Sequence, residues 1–159
     1  MSFKCICFIN RKKSTKNVVS SSLTEGLPFV SVVLPTYNRS KYLTKCLDSL
    51  LSLNYPKENL EIIVVDDASS DETPRILQEY QKKGVIVITH DRNRGPAGAR
   101  NSGVEEAHGD IVAFIDDDCT VTENWLRELV NPYENPEVAG VGGNIVGLEV
   151  IDPSNTLSL

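Results

Sequence analysis

The stretch Ile111–Asp118 has the sequence IVAFIDDD, five apolar residues followed at once by three aspartates. A short apolar run of this kind predicts a buried strand, so the three carboxylates should stand at the end of a sheet. Like charges at about 4 Å repel by roughly 1 kcal/mol in water and roughly 4 kcal/mol near a protein surface. A cation would relieve that repulsion, and hard divalent cations prefer oxygen ligands. The plainer alternative is a solvated acidic turn that caps the next helix.

The 159 residues divide into a basic start and an acidic remainder. Residues 1–29 hold five of the 16 basic and one of the 22 acidic side chains, and we expect a flexible tail and linker there. Residues 30–159, expected to form one domain, carry 11 basic and 21 acidic side chains, a net charge of −10 that disfavours nucleic acid as a partner. No stretch approaches the roughly 18 apolar residues of a membrane span. The four cysteines lack the spacing of a disulfide framework, so we expect a cytoplasmic location, with weak peripheral contact between the basic tail and a membrane as an alternative to plain disorder.

From residue 30 onward, apolar strands alternate with amphipathic helices. Ser40 is expected to cap the first helix, and Thr73 the second. This order predicts an α/β fold with a doubly wound, mainly parallel sheet, because its strands are apolar throughout rather than alternating. The predicted strands are Val30–Leu34, Ile62–Val65, Val85–Ile88, Ile111–Ile115 and Val138–Val141.

Polar residues follow each of the first four predicted strands. Ligands of such sheets bind beyond the carboxyl ends of the strands, so these four segments should converge on one site. A fold without a binding site would distribute its unusual polar residues over both edges of the sheet. The four segments are residues 35–39, 66–71, 90–95 and 116–118.

Several of these residues suit a nucleotide. The carboxylate of Asp67 only accepts hydrogen bonds, so it can select an N–H group such as the imide of uracil. Tyr37 offers a flat face for a base, although a half-buried aromatic at a strand end is equally consistent. Gly95–Asn101 resembles a phosphate-binding helix start, which also suits tight helix packing. Arg100 could pair with the aspartates or with a phosphate.

The aspartates themselves suit a metal. Asp116 and Asp118 can hold Mg²⁺ or Mn²⁺ through one or two carboxylates, which leaves other positions to phosphate oxygens and water. Such an ion would stabilise a departing diphosphate by its charge. The four segments together predict a nucleoside-diphosphate site.

Four ordered motifs over about residues 30–147 resemble family-2 glycosyltransferases. The resemblance implies a GT-A fold with a Rossmann-like nucleotide-binding half, a divalent metal and sugar transfer with inversion from a nucleotide-diphosphate sugar, with UDP favoured by family habit. It places Pro35 and Tyr37 in the nucleoside pocket and Asp67 at the base. It also makes Asp118 the metal ligand, with Asp116 and Asp117 near the ribose and the sugar diphosphate. The motifs are VSVVLPTYNR at 30–39, IVVDDASSD at 63–71, NRGPAGARN at 93–101 and FIDDD at 114–118.

The resemblance is incomplete beyond Asp118. The family places its acceptor-binding half and general base after this point, and only 41 residues follow here, without the Gln-x-x-Arg-Trp of processive members. We therefore assign no catalytic base and expect a domain that is incomplete at its C-terminal side, or a partner that supplies the acceptor half. The acceptor, whether saccharide, lipid-linked or protein, stays open, as does the activity of this chain alone. A nucleotide-sugar-binding module without transfer is the alternative.

A second enzyme class shares part of the pattern. Phosphatase-like hydrolases of the haloacid dehalogenase type have a strand followed by Asp-x-Asp-x-Thr, which Asp116–Thr120 fits, with Asp116 as nucleophile. That family begins with this motif and needs a later lysine. Here the motif comes late and no lysine follows Lys83.

Overall fold

The computed structural model describes residues 26–135 and 137–143. Its strands form one sheet in the order β3-β2-β1-β4, and every neighbouring pair is parallel. Parallel strands need crossover connections, and helices supply them here. The α/β, parallel-sheet prediction is confirmed. The strands are β1 Val30–Thr36, β2 Leu60–Asp66, β3 Ile86–Thr89 and β4 Ile111–Phe114.

Helices cover both faces of this sheet. The register of β1 places Val32 in a core cluster with α1, α2 and α4, whereas the next residue, Val33, packs in a second cluster under α3. Successive strand residues point to opposite faces, so burial on both sides requires the continuous apolar runs of the sequence. The helices are α1 Ser40–Leu51, α2 Thr73–Gln81, α3 Gly95–Glu106 and α4 Trp125–Val130, with short 3₁₀ turns at Lys57–Asn59 and Asn131–Glu134. Within the described ranges, none of the helices has the length and apolar content that crossing a bilayer requires.

Helix α3 lies unusually close to the sheet at Gly103. A Cβ atom at this position would collide with the side chain of Val33 and stand 3.3 Å from a methyl group of Val65. Such contacts would force the core to shift. Gly103 and the buried Ala99 therefore serve helix–sheet packing, one of the two roles considered for the small residues at the start of this helix.

The predicted fifth strand is wrong. Residues Val138–Val141 are irregular and lie outside the sheet. The N–H group of Val138 donates to the carbonyl of Asn135 at 3.1 Å, which closes a turn instead of bonding to a strand. A run of four residues interrupted by Gly140 carries too little pattern to predict a strand without a sheet edge to receive it.

The start of α1 also differs from prediction. Ser40 does not cap this helix with its side chain; its own N–H group donates to Asp71 at 3.1 Å. Thr73 is the first residue of the second helix rather than its cap, which is Glu72, and the N–H group of Thr73 donates to the same carboxylate at 2.9 Å. One aspartate therefore serves two helix starts, which is a tertiary contact that local sequence rules cannot detect.

Two residues of the predicted linker contact the domain. Of the segment 1–29, only residues 26–29 lie in the described ranges. Leu27 packs against the main core, and the carbonyl of Pro28 accepts a hydrogen bond from the hydroxyl of Tyr55 at 2.6 Å. Residues 27 and 28 therefore pack with the domain, while residues 1–25 lie outside the described residues.

Candidate functional site

The carboxyl edge of the sheet, defined here as the ends of β1–β4 and the loops that follow them, encloses a cavity of about 280 Å³. Every residue predicted for the site lines this cavity, including Pro35, Tyr37, Asp67 and Arg100. The parallel arrangement explains this convergence, because all four strands end at the same edge. The lining residues are Pro35, Thr36, Tyr37, Arg39, Asp67, Asn93, Pro96, Ala99, Arg100, Asp116, Asp117 and Asp118.

The aspartate triplet, Asp116–Asp118, is paired with arginines from two other segments. Arg100 on α3 contacts Asp116 at 2.6 Å, so the structure shows the carboxylate pairing considered for this residue. Arg39, which follows β1, contacts Asp118 at 3.0 Å and Asp117 at 3.4 Å. These pairs offset the mutual repulsion of the three carboxylates.

Asp117 is the buried member of the triplet. Its side chain is only 8% exposed and accepts a hydrogen bond from the hydroxyl of Thr36 at 2.8 Å. Burial raises the pKa of Asp117 above its ordinary value, and the charges of Asp116 and Asp118 add to the rise, against the hydrogen bond from Thr36 and the charge of Arg39. Asp117 therefore anchors the loop, while its two neighbours face the cavity with side chains 30% and 19% exposed.

Two members of the triplet carry the kind of donor atom that Mg²⁺ and Mn²⁺ bind. Within residues 26–135 and 137–143, no three His, Cys, Asp or Glu side chains form a metal cage. Mg²⁺ and Mn²⁺ need no such cage, because they bind one or two carboxylates together with phosphate oxygens and water. Asp116 and Asp118 supply hard oxygen donors of this kind at the cavity wall. Arg39 already contacts Asp118, so an ion there would share that carboxylate or displace the guanidinium.

Asp67 is buried, at 2% exposure, and almost fully hydrogen-bonded. Its Oδ1 atom contacts Nδ1 of His90 at 2.6 Å and accepts from the N–H group of Arg94 at 2.8 Å. Its Oδ2 atom accepts from the N–H group of Gly95 at 2.8 Å. Burial alone would raise the pKa of Asp67, but these hydrogen bonds together hold it below its ordinary value. The group is therefore a carboxylate at neutral pH and acts as an acceptor only.

These contacts change the expectation for the start of α3. Gly95, with φ of 76°, donates its N–H group to Asp67 and to the side chain of Asn93. Pro96 has no N–H group. The N–H groups of Arg94 and Gly95 are thus committed to protein acceptors, so a phosphate would have to bind later N–H groups of this helix start, and that role stays a prediction.

The loop after β1 is clasped to the loop after β2. Asn38 adopts a left-handed conformation, with φ of 52°, and its side-chain oxygen accepts from the N–H groups of Ser70 at 2.8 Å and Asp71 at 3.3 Å. Asparagine tolerates this conformation better than most residues. The clasp fixes the neighbouring residue Tyr37, whose ring lines the cavity and is 47% exposed.

Three functional candidates were given no role by the sequence reasoning. Arg39 and Thr36 hold the triplet, and His90 contacts Asp67. Charge balance could have identified Arg39, since it stands on the same predicted edge as three acids. No sequence signal could have identified His90, because a lone histidine after a strand has no diagnostic spacing.

The family comparison agrees with this geometry. The model described as "Glycosyl transferase family 2" matches residues 31–157. A curated relative, Glycosyltransferase AglE of Haloferax volcanii, is 38% identical over 125 residues, which cover 77% of this chain and 41% of the relative. The chain thus spans about two fifths of the length of this relative and of two other curated relatives that it matches.

Solved structures share the architecture. A crystal structure of Staphylococcus aureus TarS 1-349 in complex with UDP-GlcNAc superposes with a TM-score of 0.61 at 34% identity, covering 66% of this chain and 32% of that one. The mannosyltransferase PcManGT from Pyrobaculum calidifontis, in complex with GDP-Man and Mn²⁺, gives a TM-score of 0.67 at 31% identity, covering 70% of this chain and 34% of that one.

Proposed function

Because the chain belongs to glycosyl transferase family 2, we propose that its carboxyl edge binds a nucleotide-diphosphate sugar, with UDP as the nucleotide, for transfer of the sugar to an acceptor. The observation that carries this proposal is that Tyr37, Asp67, Arg100 and the aspartate triplet line one and the same cavity. A base-stacking ring, a buried acceptor and cation-binding carboxylates form the elements of a nucleoside-diphosphate site. Two of the similar structures contain a nucleotide sugar, which supports the same assignment.

Each residue has a distinct role in this proposal. Tyr37 stacks against the base beside Pro35, and Asp67 accepts one N–H group of the base. Asp118, with Asp116, would hold Mg²⁺ or Mn²⁺, and Asp117 keeps the loop in place near the ribose and the sugar diphosphate. The bound ion would supply positive charge opposite the departing diphosphate.

The proposed transfer inverts the sugar. An acceptor oxygen forms a bond to the anomeric carbon as the bond from that carbon to the diphosphate oxygen breaks on the opposite face, and the acceptor's proton passes to a base. No residue of the described ranges is assigned as that base. The contribution of this chain is therefore to bind and orient the donor.

A titration of UDP by calorimetry, with and without Mn²⁺, tests the metal assignment. We expect Asp118→Asn to lower metal-dependent UDP affinity by about 100-fold. Loss of an outer-shell partner already costs about 10–100-fold in metal affinity, and Asp118 is proposed to contact the ion directly. Asp91→Asn is the matched control, because Asp91 is exposed on the same edge and pairs only weakly with Arg94, at 3.4 Å. Unchanged UDP binding by Asp118→Asn with Mn²⁺ present would contradict the assignment. A parallel titration with GDP tests the choice of nucleotide.

The second candidate function is a nucleotide-sugar-binding module without independent transfer. Turnover with labelled UDP-sugars and saccharide or lipid-linked acceptors distinguishes the two candidates. Tight donor binding without transfer to any acceptor would favour the module. The haloacid dehalogenase alternative is set aside, because the family match accounts for the same aspartates.

A further inference from the structure

His90 is a buried titratable residue that the proposed mechanism does not use. It follows β3, and its side chain is only 4% exposed. Both ring nitrogens have partners, Oδ1 of Asp67 at 2.6 Å and the hydroxyl of Ser102 on α3 at 2.9 Å. Its backbone N–H group donates to the carbonyl of Asp66 at 2.9 Å, which holds the main chain of His90 beside β2.

The partners of His90 determine where its protons lie. A carboxylate offers only lone pairs, so Nδ1 carries a proton and donates it to Asp67. In the neutral ring, Nε2 then accepts from the hydroxyl of Ser102; in the charged ring, it donates to the same oxygen. In either state the histidine holds one carboxylate oxygen and Ser102 holds the histidine.

Counting lone pairs shows what this contact leaves available. A carboxylate has about four acceptor positions. Two on Oδ1 are taken by His90 and by the N–H group of Arg94, and one on Oδ2 is taken by the N–H group of Gly95. One position on Oδ2 remains, and Asp67 lines the cavity. The number of acceptor positions thus matches one N–H group of a ligand.

We propose that His90, supported by Ser102, is a positioning residue that fixes the carboxylate of Asp67 so that it presents a single acceptor to the imide N–H of a uracil base. This inference rests on the proposed function, since it requires a nucleoside diphosphate in the cavity. It adds a specificity determinant behind Asp67 that never touches the ligand.

Two substitutions separate the two ring nitrogens. His90→Asn keeps an N–H donor near the place of Nδ1, whereas His90→Gln places its amide near Nε2 and loses the donor to Asp67. The probes, each titrated with Mn²⁺ present, are UDP, its N3-methyl derivative and inorganic pyrophosphate. The methyl derivative differs from UDP only at the imide, and pyrophosphate reports on the metal and phosphate contacts alone.

We expect the wild type to prefer UDP over N3-methyl-UDP, and His90→Gln to reduce that preference by roughly 10-fold, as loss of an oriented hydrogen bond to a charged group would. His90→Asn should retain the preference, and Ser102→Ala should show a smaller loss than His90→Gln. Pyrophosphate affinity should be the same in all variants. The matched control is His108→Gln, which changes an exposed histidine at the opposite edge of the sheet.

Two outcomes would overturn the inference. His90→Gln could keep the full preference for UDP, or it could weaken UDP, N3-methyl-UDP and pyrophosphate by one common factor, which would show a structural role only. Thermal unfolding of each variant identifies the second case. Failure of the wild type to bind UDP at all would instead refute the proposed function, and with it the premise of this inference.

Discussion

The two ends of strand β2 carry carboxylates with similar surroundings and different consequences. At the carboxyl end, Asp67 contacts His90 and the N–H groups that begin α3. At the amino end, Glu61 contacts His108 and the N–H group of that residue, just after α3 ends. Each acid therefore ties one end of the same helix to the same strand.

Electrostatics alone does not distinguish these two sites. For both acids burial would raise the pKa, and hydrogen bonds outweigh it and lower the pKa, with Ser31 and His108 acting on Glu61. What differs is location, because Asp67 lines the cavity with the aspartate triplet and Glu61 does not. A perturbed carboxylate becomes a candidate binding group only where the fold brings further functional groups to it.

The largest expected effect is a difference in UDP affinity between substitutions at the two ends of β2. Asp67→Asn replaces an acceptor-only group with one that also donates, so we expect UDP affinity to fall by roughly 10–100-fold. Glu61→Gln, the corresponding change at the amino end, should leave UDP affinity unchanged. Calorimetric titration of both variants with Mn²⁺ measures the difference, and equal losses would show that the two ends are not functionally distinct.

The second prediction concerns stability at the amino end. The hydroxyl of Ser31 is buried and donates a hydrogen bond to Glu61. It also accepts a hydrogen bond from the N–H group of Gly109 at 2.8 Å. Ser31→Ala leaves that donor unpaired, so we expect a loss of about 1–3 kcal/mol in the free energy of unfolding. Urea unfolding provides the measurement. UDP affinity well below its wild-type value under native conditions would contradict the assignment of a purely structural role to this edge.

The third prediction concerns the pH dependence of stability at Asp71, whose carboxylate accepts from the N–H groups that begin α1 and α2. Burial would raise the pKa of Asp71, but hydrogen bonds from Thr73 and Ser40 lower it to about 2, below its ordinary value of 3.8. A lowered folded-state pKa stabilises the fold above the unfolded value, and this stabilisation disappears as pH falls from about 4 to about 2. Relative to Asp71→Asn, the wild type should lose about 1 kcal/mol over this interval, the typical value of a helix cap. If unfolding curves gave the same change in the free energy of unfolding for both proteins across these pH values, the prediction would be refuted.

The smallest expected effect concerns Arg39. Its guanidinium pairs with Asp118 and lies 5.3 Å from the centroid of the Tyr42 ring. The side chain of Arg39 is 45% exposed. Exposed ion pairs contribute only about 0–1 kcal/mol, so Arg39→Gln should raise the affinity for Mn²⁺ alone by up to about 5-fold. Arg75→Gln, which removes an exposed pair with Glu72, is the control. Manganese titration followed by electron paramagnetic resonance measures the affinities, and weaker binding by Arg39→Gln would show that the arginine assists the ion.

Much of the fold and of the cavity was predictable. The apolar runs that became β1, β2 and β4 are buried on both faces, so their composition alone indicates a covered parallel sheet. Parallel strands then bring Tyr37, Asp67 and the triplet to one edge without further information. Polar groups also meet at the other edge, where the hydroxyl of Ser31 donates to Glu61.

The sequence by itself determined the four strands β1–β4, that they run in parallel and therefore which side chains share an edge. These properties follow from local periodicity and from the geometry of crossover connections. The tertiary structure alone decided the partners: Arg39 with Asp118, His90 with Asp67 and Asp71 with two helix starts. Such pairs join residues far apart in the chain, and their formation depends on side-chain distances that only the packed fold sets.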